Sequence, residues 1–92
     1  MARFLIEVPH DAEKTACARA IQIFLTTGSH FLRNADWGCS DGDHKAWMIV
    51  ELDSKEDARA VVPHAYRSQA KIVRLDTFTM EDVDEMLGHH EP

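Results

Sequence analysis

Ala35-Asp36-Trp37-Gly38-Cys39, Ser40-Asp41-Gly42-Asp43-His44 and Lys45-Ala46-Trp47-Met48-Ile49-Val50-Glu51-Leu52 read, in that order, as strand, turn and strand. The middle block is decided by Asp41-Gly42. A tight hairpin turn needs positive φ, which glycine adopts at no steric cost and aspartate tolerates. Alternation decides the block that follows. Ala46, Met48, Val50 and Leu52 fall on one face; Trp47 and Ile49 fall on the other, with Lys45 and Glu51 outside them. Both faces are substantially apolar, the pattern of a strand covered on both sides.

The elements before and after the hairpin follow from period and punctuation. Phe4, Ile6 and Val8 alternate with Arg3, Leu5 and Glu7 in a first strand that Pro9 ends. Asp11 is the expected N-cap of the next helix, with Glu13 in its first turn. Cys17, Ala20, Ile21, Phe24 and Leu25 form its apolar stripe, and Gly28 stops it. The second strand is expected over 31–39. After the hairpin, Ser54 and Asp57 resemble a capping box, and Ala58, Val61, Val62 and Ala65 give a buried stripe. Pro63 ends that helix near Val62 and leaves His64 to Gln69 as a looser turn. A fourth strand is expected over 71–78. Thr79 and Asp82 open a short third helix through Met80, Val83, Met86 and Leu87, ending at Gly88 before a frayed tail of His89-His90-Glu91-Pro92. The order is βαββαβ plus a helix, in one domain over 1–92, with no internal repeat or linker.

Composition bounds the function. Ninety-two residues make one modest core, and small domains gain stability by pairing. Sixteen acids against ten bases give a net charge of −6, which argues against nucleic acid and anionic membrane surfaces as partners. No apolar run approaches a bilayer's width, and the apolar start around Phe4-Leu5-Ile6 is too short for a signal peptide. The expectation is a cytoplasmic protein with two free thiols, Cys17 and Cys39, too far apart in sequence for a CxxC knuckle.

Two helices cover only one face of a four-stranded sheet. If they lie on the Phe4, Ile6, Val50 side, the open face carries Arg3, Leu5, Glu7, Trp47, Ile49 and Glu51, with Ile72, Arg74 and Asp76 from the last strand. An apolar patch rimmed by charge is seldom left in water on a monomer. Burying a tryptophan and two or three aliphatics, at roughly 1.5–3 kcal/mol each, predicts a homodimer packed sheet on sheet about a two-fold axis.

Trp47-Met48-Ile49-Val50-Glu51-Leu52-Asp53-Ser54-Lys55-Glu56-Asp57 is similar to the third strand and following helix cap of the dimeric α+β barrel superfamily. Lys71-Ile72-Val73-Arg74-Leu75-Asp76-Thr77-Phe78 is similar to its last strand. The strand-Asp-Ser-helix-strand run resembles the muconolactone isomerase group and small uncharacterised relatives. The local likeness is confined to about residues 45–78. It implies an α+β, ferredoxin-like βαββαβ sandwich with a short C-terminal helix, assembled as a dimer. The superfamily holds isomerases, cofactor-free monooxygenases, haem-degrading and dehalating enzymes, so the resemblance narrows function little. It also implies that a ligand can sit between sheet and helices, where Phe24, Trp37, Cys17, His64 and Tyr66 are candidate walls.

Three constellations carry chemistry. Six histidines are many for this length, and His10, His30, His44 and His64 all fall at element ends. These ends do not share one edge of the expected fold, and no pair has HxH, HxxxH or HExxH spacing, so loop histidines are the favoured reading and no metal ligand is assigned. Around the hairpin, Asp36 could accept a proton, and Cys39 and His44 could face each other as a thiolate–imidazole pair. The plainer reading is turn chemistry around a small buried cysteine. The EF-hand pattern is absent. On the open face, Arg74 or Arg3 could anchor an anion beside Trp47, although cross-interface ion pairs explain the same residues.

The expected function is that of a homodimer binding a small molecule or a protein partner, without an organic cofactor, through Trp37, Trp47, His64 and Tyr66. The alternative is a cofactor-free isomerase or lyase moving a proton on a small acidic or aromatic metabolite, with His30, Asp36, His44 and Arg74 as catalytic candidates. Metal binding through histidine and Cys39 stands third.

Overall fold

The computed structural model describes residues 1–27 and 29–88; Gly28 and the tail 89–92, for which a helix stop and fraying were expected, lie outside the described residues. Four strands form one antiparallel sheet in the order β2-β3-β1-β4. They are β1 (Ala2–Pro9), β2 (Asp36–Trp37), β3 (Lys45–Leu52) and β4 (Lys71–Leu75). The long central pair runs in register from Ala2 opposite Leu52 to Pro9 opposite Lys45. Among the described residues, five α-helices accompany the sheet: α1 (Lys14–Thr26), α2 (His30–Arg33), α3 (Lys55–Val61), α4 (His64–Arg67) and α5 (Met80–Met86).

The alternation reads correctly for the central strands. Phe4, Ile6, Val8, Ala46, Met48 and Val50 are buried on the helix-covered face, with Ala20 and Phe24 of α1 and Ala58 of α3. Trp47 and Ile49 point to the uncovered face, where Ile49 is 62% exposed. The last strand corrects the expected parity. Val73 and Leu75 stand opposite Leu5 and Arg3 and share their open face, because directly opposed residues point the same way. Ile72 stands opposite Ile6 and is buried, and Arg74 shares the face of Phe4. Asp76 lies beyond the strand.

The second strand is also shorter than its expected 31–39. Phe31 and Leu32 are adjacent apolar residues, so they cannot both point to one face of a strand. A helical turn takes them instead, sinking Leu32 into the core at 1% exposure. Asn34 closes that turn, donating from Nδ2 to the His30 carbonyl at 2.7 Å. Only Asp36 and Trp37 remain to pair with β3.

Caps set the helix ends. Glu13, rather than Asp11, occupies the N-cap position of α1. Ser54 Oγ accepts from the Asp57 amide at 3.1 Å and starts α3. Val62, the residue before Pro63, turns extended, and a new turn, α4, begins at His64. The break is stitched by two arginines. Arg67 donates to the Val62 carbonyl from Nε and Nη2, and Arg59 Nη1 donates to the Arg67 and Ala70 carbonyls. The expected box at α5 forms reciprocally between Thr79 and Asp82.

Candidate metal centre

The strand alternation does not stop where the apolar residues stop. On β1, the sequence Phe4, Ile6, Val8 continues one step further to His10. On β3, Val50, Met48, Ala46 continues backwards to His44. The His10 amide donates to the His44 carbonyl at 3.1 Å, which extends the β1–β3 ladder by one pair. Both imidazoles therefore sit on the helix-covered face at one end of the sheet. Their rings meet edge to face with centroids 5.8 Å apart.

Two other elements bring sulfur to the same place. Cys17 lies in the first turn of α1, on the stripe that continues through Ala20 and Phe24 into the core. Cys39 opens a short 3₁₀ turn, Cys39–Asp41, between β2 and β3. That turn closes on Gly42, whose φ of 84° is the left-handed conformation glycine favours. It starts at Gly38, where any Cβ would lie 2.6 Å from the Asp43 carbonyl oxygen and 2.7 Å from the Trp47 ring. Glycine at that position lets the hairpin close and aims Cys39 at the sheet end.

The outcome is a cluster of His10, Cys17, Cys39 and His44 whose potential ligand atoms all lie within 4.8 Å of one another. Cys39 Sγ is 3.2 Å from His10 Nε2. All four side chains are half-buried. Among the described residues, the Nδ1 atoms of His10 and His44 are buried without a hydrogen-bond partner. Such atoms are costly in a folded protein unless something satisfies them. Trp37 packs against the His10 ring at 5.7 Å and against Phe24 at 4.9 Å, walling the cluster on its core side.

Electrostatics of the four groups follow from crowding. Burial pushes the Cys39 thiol up to about 11, helped by its contact with Cys17. Burial also holds His10 below the usual imidazole range, as does the neighbouring His44, against a smaller opposing pull from Asp11. The imidazole that Cys39 Sγ meets at hydrogen-bond distance is that of His10, not the His44 of the expected pair. Two sulfurs and two imidazoles are a donor set for a borderline-soft, tetrahedral ion. Ligands at about 2.0–2.3 Å from zinc stand about 3.3–3.8 Å apart, so an inward shift of an ångström or less completes the shell. With no carboxylate among the four, calcium and magnesium are poorly served.

The other singled-out residues do not converge. His30 is exposed on α2 beside Phe31, and Asp36 is exposed on the uncovered face opposite Trp47. Arg74 is exposed on the edge strand β4, and His64 is exposed at the start of α4. Tyr66 and Trp37 pack around Phe24 as core walls. On the uncovered face, the Trp47 indole donates to Glu7 Oε1 at 3.1 Å. Of the four proton-transfer candidates, only His44 lies in the cluster. His10 and Cys17 carried no ligand assignment in the sequence. The available signal was the period-two extension of both strands to a histidine, combined with antiparallel pairing.

No helix among the described residues is long and apolar enough to cross a membrane. Compared with protein-family models, curated proteins and solved structures, the chain has no significant match.

Proposed function

We propose that this chain is a small zinc-binding module, with His10, Cys17, Cys39 and His44 as the ligands of one tetrahedral ion. The carrying observation is the convergence of those four donor groups from four separate elements onto one point. Four protein ligands leave no open position for a water or substrate, which is the arrangement of a structural rather than a catalytic zinc. The ion would tie the end of β1, the start of α1, the hairpin turn and the start of β3 together. In a domain with a core this small, that clasp would couple metal binding to folding. The thiols must stay reduced for this role, which favours a reducing, cytoplasmic setting.

The working role that fits is a metal-clasped binding module for a small molecule or a protein partner. A proton-transfer isomerase or lyase is less well supported, because His30, Asp36 and Arg74 stand apart from His44. The strand order β2-β3-β1-β4 with its helices on one face supports a ferredoxin-like reading and the likeness to dimeric α+β barrels.

Elemental analysis of reduced, purified protein tests the proposal. One zinc per chain is expected, with Cys17→Ser and His44→Ala each losing it. A reduced, folded protein that neither retains nor takes up zinc overturns it.

A further inference from the structure

Among the described residues, two apolar surfaces lack a partner, and they complement each other. The first is the uncovered sheet face. Ile49, Leu5 and Val73 form a row across β3, β1 and β4, with Leu75 beside it. The second is the C-terminal arm. Phe78, Met80, Met86 and Leu87 are between 64% and 73% exposed, and Met80, Val83 and Leu87 make one stripe at helical spacing. Among the described residues, none of the other elements packs extensively against α5. The shape reflects this. The radius of gyration is 17.0 Å and the long axis 62 Å, whereas a compact chain of this length has a radius of about 12 Å and an eight-residue strand spans about 26 Å.

We propose that the occupant of the sheet face is the C-terminal arm of a second copy of this chain, so that two chains exchange α5 reciprocally. One chain carries both the groove and the ridge, which a two-fold pair satisfies twice over. The arm carries Glu81, Asp82, Asp84 and Glu85, while on the sheet face Arg3 stands opposite Glu51 and Lys71 opposite Glu7, so charge is balanced there and the apolar row decides the pairing. The arm on the sheet replaces direct sheet-on-sheet contact as the core of the dimer. This inference does not depend on the metal centre.

The test is sedimentation of the full, reduced chain together with Ile49→Glu and Met80→Glu. Both side chains are exposed in the single chain, so both variants should keep the wild-type circular dichroism. The wild type should sediment at twice the 10.5 kDa chain mass, and each variant should raise the dimer dissociation constant at least tenfold. Zero-length carbodiimide cross-linking of mixed isotopically light and heavy protein should join Glu81 or Glu85 of one label to Lys71 of the other. A wild-type monomer overturns the proposal. So does a dimer indifferent to Met80→Glu, or cross-links confined to single-label chains, which would put the arm on its own sheet.

Discussion

At the scale of single residues, Gly38 governs the turn that carries Cys39. An alanine methyl there would press on the Asp43 carbonyl oxygen at 2.6 Å, a backbone atom that cannot move without opening the hairpin. Gly38→Ala should cost about 1–3 kcal/mol, the usual range for overpacking, and should also weaken zinc binding. Thermal melts with and without zinc measure both. Glu7 has a different role. Its Oε1 accepts the Trp47 indole proton, while Lys45 lies at 4.0 Å from Oε2 and is partly solvated. The hydrogen bond should therefore outweigh the ion pair. Glu7→Gln, which keeps an acceptor, should be close to neutral, and Glu7→Ala should lose about 0.5–1.5 kcal/mol by denaturant titration. The metal-free protein should also show two pH limits. His10 binds its proton less readily folded than unfolded, so its contribution is present above about pH 6.5 and is lost as pH falls further. Cys39 holds its proton more tightly when folded, so its contribution is present below about pH 8.5 and is lost as pH rises towards 11. A melting-temperature profile across that range, measured with chelator present, should be a plateau falling on both sides.

At the scale of elements, legibility followed the strength of the local signal. The period-two residues of β1 and β3, the Ser54 cap and the Thr79–Asp82 box were all readable, because each is enforced within a few residues, whereas of the expected Asp41-Gly42 tight turn only the positive φ of Gly42 appears, closing a 3₁₀ turn in a longer loop. Ser54→Ala should accordingly lower stability by about 0.5–2 kcal/mol, read as a shift in the denaturation midpoint. The segment 31–39 misled because Phe31 and Leu32 have the composition of a strand without its alternation, and the Asn34 side chain favoured a helical turn. The parity of β4 misled because Ile72 and Val73 are interchangeable by composition, and only the pairing of Ile72 with Ile6 decides which is buried. The metal centre was hidden for a related reason. Cys17 and Cys39 are separated by most of α1, α2 and β2, and no spacing rule links them. His10 and His44 become neighbours only once β1 is paired with β3.

At the scale of the whole molecule, the four clustered side chains gather at the open end of the sheet beside the first turn of its main helix, where the apolar residues of β1 and β3 run out, and a zinc ion held by them would fasten the two. Anything that binds the folded chain but not the unfolded one raises stability by mass action, so zinc should raise the melting temperature and chelation should lower it. Substitution with cobalt reads the donor set itself, because thiolate-to-metal charge transfer and the bands of a tetrahedral ion report ligand type and geometry together. Titrating reduced protein with Co²⁺ should saturate at one ion per chain with both signatures, and Cys17→Ser should diminish the thiolate band. A spectrum without thiolate character, or one unaltered by Cys17→Ser, would contradict the metal centre on which this account rests.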